Sequence, residues 1–291
     1  MLNTTKYAAL ALCLTSMAAS ARHDPYEEVR LKLATDDIVR LIDAENRKSD
    51  FCRQYEGQQV AVTKFEELAS RLPKHSPKSE FETTAQYEAR IVDASRNAPT
   101  GPFVLALPTD QDGIHYDADS GVMRVAAGAF GEGYFSKDTR ANLMALDPVS
   151  EGRTAVPHSE NKRLLQTYNA QTLLGVRFQV SKYDLRTNAL SVDALTLFPF
   201  VDIAGPSTVM GFEVPVAKAA ATKATIKVAL VVESEQPYLI DKTSQDQWTP
   251  TLDRPNQYIY HSTILFVKAR CGLVLDEQSR VLASMDTGDG K

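Results

Sequence analysis

The sequence predicts an α+β fold, with N-terminal helices followed by a mainly antiparallel β-sheet region with hairpins. Three observations predict it. Before residue 101, two segments pair a helix-start signal with apolar residues spaced three and four apart, "TKFEELASRLP" (63–73) and the stretch that opens "FETTAQYEAR" (81–90). From Pro102 that spacing fades, and Val, Ile, Tyr, Phe and Thr recur in short runs between turn signals. Finally, Asp followed by Ser or Thr three residues on and an apolar residue six on occurs in "YDADSGVM" (116–123), "YDLRTNAL" (183–190) and "LDEQSRVL" (275–282). Apolar residues at 43% and charged residues at 24% suit a chain that buries a core.

Three regions are expected: residues 1–21, a signal peptide; 22–100, a helical N-terminal region; and 101–291, an antiparallel β-rich domain. "MLNTTKYAALALCLTSMAASA" runs from a positive charge, Lys6, through an apolar stretch from Tyr7 to about Leu14, to Ala19-Ser20-Ala21. That is the order of a secretory signal peptide with an A-x-A cleavage site. The apolar run is short for a bilayer span. Leu12 stands where a lipid-modified Cys13 would need a small residue. Cleavage after Ala21 is expected, with a periplasmic or secreted soluble chain and no transmembrane span; a buried N-terminal helix is the alternative. Losing the single charge of Lys6 moves the formal charge from −5 to −6.

Asp24-Pro25-Tyr26-Glu27 sets an N-cap, a proline at the first helical position and an early glutamate. Thr35-Asp36-Asp37 restarts a helix bearing Ile38, Leu41 and Ile42, with Glu45 to Asp50 as its solvated end. In the next helix Thr63 and Glu66 form a capping box, Phe65, Leu68, Ala69 and Leu72 share a face, and Pro73 stops it. Thr83 and Gln86 repeat the box. Tyr87, Ile91, Ala94 and Ala98 then fall on one face, Phe81 is placed to fold back on Tyr87, and Arg90 reaches Asp93 or a partner elsewhere.

Strands are expected at "PFVLALP", "LLGVRFQVSKY", "ALSVDALTLF", "MGFEVPV", "ATIKVALVVES", "QYIYHSTILFVKA" and "GLVLD". The three Asp patterns read as hairpin turns closed by a left-handed residue at Gly121, Asn188 or Arg280, of which arginine suits that conformation least. "AKAAATK" (217–223) is a short helical turn or linker. "DKTSQDQWTPTLDRPNQ" (241–257) is a long loop, and "GAFGEGYF" (128–135) a turn. In an oxidising compartment Cys52 and Cys271 read as a disulfide, the alternative being two separate thiols.

"FETTAQYEAR" after a Pro-Lys-rich lead-in resembles a motif of an uncharacterised family of bacterial exported proteins, F-E-T-x-A-x-aromatic-E-x-R. A strand and a "YDAD"-type hairpin follow at 103–123, and "GFEVPVAKAAATKATIKVALVVES" resembles that family's strand–short helix–strand unit. The resemblance covers about a third of the chain in scattered pieces. It implies export and an α+β fold and supplies no activity and no catalytic residues.

No chemistry-bearing motif stands out. Asp117 and Asp119, like Asp110 and Asp112, open as a calcium loop does, but the later ligands of an EF-hand do not follow. The five histidines are scattered without H-x-x-x-H. There is no G-x-S-x-G elbow and no P-loop Lys-Ser/Thr. No basic stripe with interleaved aromatics points to nucleic acid. No catalytic, metal or cofactor residues are assigned and no cofactor is expected. Trp248, Tyr258 and Tyr260 form a candidate binding loop, flat aromatic faces suiting sugars or peptides. The expected function is a non-enzymatic binding or accessory protein of the bacterial cell envelope, its partner an envelope protein or cell-wall component. An envelope hydrolase whose site assembles only in the fold is the alternative.

Overall fold

Long alternating runs of Val, Ile, Leu and Tyr fuse into continuous strands, and these strands organise the molecule. The computed structural model describes residues 49–74, 76, 78–130, 153–193, 208–246 and 248–287. In chain order they form α1 (Asp50–Arg53), β1 (Val62–Thr63), α2 (Phe65–Arg71), α3 (Thr84–Arg96), β2 (Phe103–Leu107), β3 (Ile114–Asp117), β4 (Val122–Ala126), β5 (Arg153–Gln171), β6 (Arg177–Asp193), β7 (Thr208–Glu213), α4 (Val216–Thr225), β8 (Lys227–Gln245), β9 (Asn256–Leu275) and β10 (Val281–Asp286). The leader expected at 1–21 and the helices expected from Asp24 and Thr35 lie outside the described residues.

The expected α+β class is overturned. Among the described residues the protein is mainly β, with 53% of them in strand, and the described helices have 4, 7, 13 and 10 residues. Strands that look separate in the sequence are single strands in space. β9 joins "QYIYHSTILFVKA" to "GLVLD", and β6 runs straight through the hairpin turn expected at 183–190. β8 continues to Gln245 and shortens the loop expected at 241–257. Nor is the large sheet simply antiparallel. Its order is β1-β2-β8-β9-β6-β5, with β10 also on β9, and the β1–β2 and β6–β9 pairs are parallel. A parallel pair needs a long crossover, which β7, α4 and β8 supply between β6 and β9. Alternation has the same period in either direction, so spacing cannot reveal it.

A second, antiparallel sheet of β3, β4 and β7 packs on one face of the first. Ile114, Met123 and Met210 from it meet Leu190, Leu230 and Leu265 of the large sheet, and α2 adds Phe65, Leu68 and Leu72, the face its spacing foretells. The α2 capping box does not form: Thr63 belongs to β1, and Lys64 caps without a side-chain bond. The α3 box does form, between Thr83 and Gln86. Tyr87, Ile91, Ala94 and Ala98 are half-buried on one face, whereas Phe81 stands exposed instead of packing on Tyr87. Arg90 donates two bonds of 3.0 Å to Glu82 and lies 5.2 Å from the Tyr87 ring centroid.

Two of the three Asp patterns make turns. The Asp117 carboxylate accepts from the Asp119 amide at 3.1 Å, and Gly121 takes φ +69° to close β3 onto β4. The Asp276 carboxylate accepts from the Gln278 amide at 2.9 Å and the Arg280 amide at 2.8 Å, with Ser279 rather than Arg280 left-handed at φ 62°. Asp184 sits mid-strand in β6 and has another use, described below.

The opposite face of the large sheet is closed at one end by α1 and the chain after it. Cys52 and Cys271 lie at disulfide distance, their sulfurs 1.88 Å and their Cα atoms 5.7 Å apart across 219 residues of sequence. Around them cluster Val104, Ala229, Val231, Leu273 and Val281. The Gly57 amide donates to Val281 O, and the Val60 amide to Ser279 O, both at 2.9 Å.

Candidate functional site

Because β6 and β9 run the same way, the β5–β6 turn and the β8–β9 loop open at the same end of the sheet, opposite the cysteine pair. β6 meets β9 only from Ser181 onward. Residues 177–180 and their β5 partners 168–171 extend past it as a two-stranded arm, about 13 Å of ribbon before the turn. Among the described residues β5 pairs with β6 alone, so its outer edge is open.

At the arm's tip the Thr172 amide donates to Val176 O and the Gly175 amide to Thr172 O, both at 2.9 Å. Gly175 takes φ +85°, a conformation that favours glycine. Leu173 and Leu174 therefore occupy the two central turn positions, with relative exposures of 106% and 91%. Asn, Asp or Ser side chains would bond the backbone there; leucine does not. Each leucine left in water forgoes about 1.5–3 kcal/mol that burial would contribute. Val176, Leu164, Leu165 and Tyr168 extend the exposed apolar surface. At the other end of the β5–β6 hairpin, away from the arm, Arg153 donates to Ser191 Oγ at 2.9 Å, Ser191 O at 2.7 Å and Val267 O at 3.0 Å, and pairs with Glu235 at 3.0 Å.

The aromatic trio expected to form a binding loop is divided. Tyr258 and Tyr260, two apart, share one face of β9 and are only 8% and 6% exposed. Tyr183 stacks on Tyr258 at 5.5 Å, and Lys162 Nζ sits 4.1 Å from the Tyr183 ring centroid while donating to the Tyr258 hydroxyl at 3.2 Å. Trp248 remains on the β8–β9 loop, 45% exposed, with exposed Leu252 nearby in sequence. This loop and the arm are tied together: Tyr168 OH donates to Gln257 Oε1 at 2.8 Å, and the Ser181 amide to Pro255 O at 3.0 Å.

The other face of β6 carries a polar groove of about 560 Å³, lined by Glu66, Asn161, Arg163, Asp184, Arg186 and Asn188 among others. Asp184 is its buried floor. Arg163 and Arg186 donate to its Oδ2 at 3.2 and 3.3 Å. His261 Nε2 lies 3.1 Å from Oδ1 but off the line of a hydrogen bond, leaving that oxygen without an aligned donor. The Thr243 hydroxyl is 3.1 Å from His261 Nδ1. The row Thr243–His261–Asp184 contains the residue types of a nucleophile–base–acid relay. Two features weigh against that role: Asp184 is shared with two guanidiniums, and both arginines stand about two-thirds exposed over an open groove. Sequence reasoning missed the row because register alone assembles it, Thr243 and Arg186 both lying opposite His261.

Among the described residues the one group of potential metal ligands is Cys52, Cys271 and Asp286. Sulfurs bonded to each other offer no thiolates, and Asp286 accepts from Ser49 Oγ at 2.7 Å. No described helix is long and apolar enough to cross a membrane. No family model, no curated protein and no solved structure matches the chain.

Proposed function

We propose that this is an exported, non-enzymatic binding or accessory protein of the bacterial cell envelope, and that the arm end of the large sheet is its working surface. The observation that carries the reading is the pair of fully exposed leucines at the centre of a tight turn. Apolar side chains held out on a built arm mark a surface made to be covered. The order of residues 1–21 and the Cys52–Cys271 pair support export into an oxidising compartment. The test is retention of envelope components on the immobilised full chain and on its Leu173→Asp/Leu174→Asp variant. A component held by the first and lost by the second is expected; retention that ignores the tip argues against the reading.

The Thr243–His261–Asp184 row favours a second reading, a hydrolase of envelope material. Turnover of peptidoglycan, esters or phosphoesters that disappears in His261→Ala would put it first.

A further inference from the structure

We propose that the arm end docks on an anionic lipid surface, with Leu173 and Leu174 entering the headgroup–acyl boundary and basic residues behind them holding lipid headgroups. The inference rests on the binding reading above and names the partner's chemistry. Charge is the first argument. From Asn161 to Tyr183 the chain carries Lys162, Arg163, Arg177 and Lys182 and no Asp or Glu, in a protein whose formal charge is −5. Lys162 and Arg163 already serve Tyr258 and Asp184. Arg177 directly follows Val176, so it stands at headgroup level when the turn lies just beneath, and Lys182 sits further back on the same strand.

Shape is the second argument. The tip is a convex turn with two adjacent leucines pointing into solvent, and a protein would have to bring a pocket to receive it. A lipid interface accepts a convex apolar tip directly. Trp248 and Leu252 stand exposed on the loop tied to the arm, adding an aromatic of the kind enriched at membrane–water interfaces. Asp253 is exposed on that loop, so the loop with Trp248 rests at headgroup level and only the leucine tip goes deeper.

Trp248 is the only tryptophan in the chain, so tryptophan fluorescence, excited selectively, reports on this end alone. The full chain is mixed with phosphatidylglycerol-rich vesicles and, separately, with pure phosphatidylcholine vesicles. Trp248 emission should shift to the blue and the protein should co-float with the anionic vesicles, binding them at least about tenfold more strongly, with the difference shrinking in high salt. Leu173→Asp/Leu174→Asp should weaken binding about tenfold or more while leaving the melting curve unchanged. Arg177→Glu, which keeps both leucines, should lower the anionic preference several-fold. The proposal is overturned by absent flotation, by equal binding to both lipids, or by a double variant that binds like its parent. If vesicles fail while an envelope protein is retained through Leu173 and Leu174, the lipid partner is lost and the binding reading stands. Turnover lost in His261→Ala would remove the binding reading whatever the vesicles do.

Discussion

The two ends of the large sheet share β5, β6, β8 and β9 only in part, and they are built to opposite rules. Where β9 finishes, Cys271 to Leu275 are buried on both faces, between the small sheet on one side and α1 on the other. Where β9 begins, the neighbouring strands run on without it as a ribbon, and leucines face water. Stability is concentrated at the closed end, while the open end presents side chains whose removal leaves the core intact. Regions that bind are commonly drawn from such weakly buried elements.

Severing the Cys52–Cys271 link is the strongest way to test this division. The double Cys→Ser variant should lose about 2–5 kcal/mol of unfolding free energy in urea titration, near the upper end if the long enclosed loop is freed in the denatured chain. Leu230→Ala, in the core between the sheets, should cost about 3 kcal/mol by the same measurement. Midway along the sheet, Asp184→Asn should cost about 1 kcal/mol or less, since Arg163 and Arg186 are exposed enough to return to water.

His158 gives a smaller, pH-dependent effect. Burial against Phe65, 4.8 Å between ring centroids, holds its imidazole below the usual histidine range, only partly offset by Glu66. The unfolded chain therefore takes up a proton more readily below about pH 6.5. Its contribution is complete above that pH and declines as pH falls toward the lowered folded value. Urea midpoints measured on either side should show the decline, and His158→Gln should flatten it. Smallest of all, Leu174→Ser should change stability by no more than about 0.5 kcal/mol. A loss comparable to that of Leu230→Ala would mean that the tip belongs to the core and would end the distinction.

The same division explains what could be read in the sequence. The closed end was legible because burial leaves periodic traces: Phe65, Leu68 and Leu72 lie three and four apart and are all buried, and Cys52 meets Cys271. The open end was not. β5, "RTAVPHSENKRLLQTYNAQ", is exposed along most of its outer half and shows no alternation, so no strand was expected there. Leu173 and Leu174 imitate the start of a strand because nothing in composition distinguishes an apolar turn from an apolar strand. Asp117, Asp184 and Asp276 share one local pattern, yet Asp184 bonds to Arg163 across the sheet rather than to its own backbone. Short-range spacing carries no information about that cross-strand register. The α+β expectation failed for the same reason: local signals mark the helices well and underreport long exposed strands.

The start of β9 gives the arm one more property. β9 begins beside Ser181, the Ser181 amide donates to Pro255 O and the Tyr168 hydroxyl to Gln257 Oε1, so the ribbon is clamped at its root as a cantilever is. A stiff lever surrenders little freedom when its tip is caught, unlike a loose loop. Its reach is also adjustable: adding residues in pairs to both strands would carry the leucines farther out without turning them over, because side-chain facing repeats every second residue.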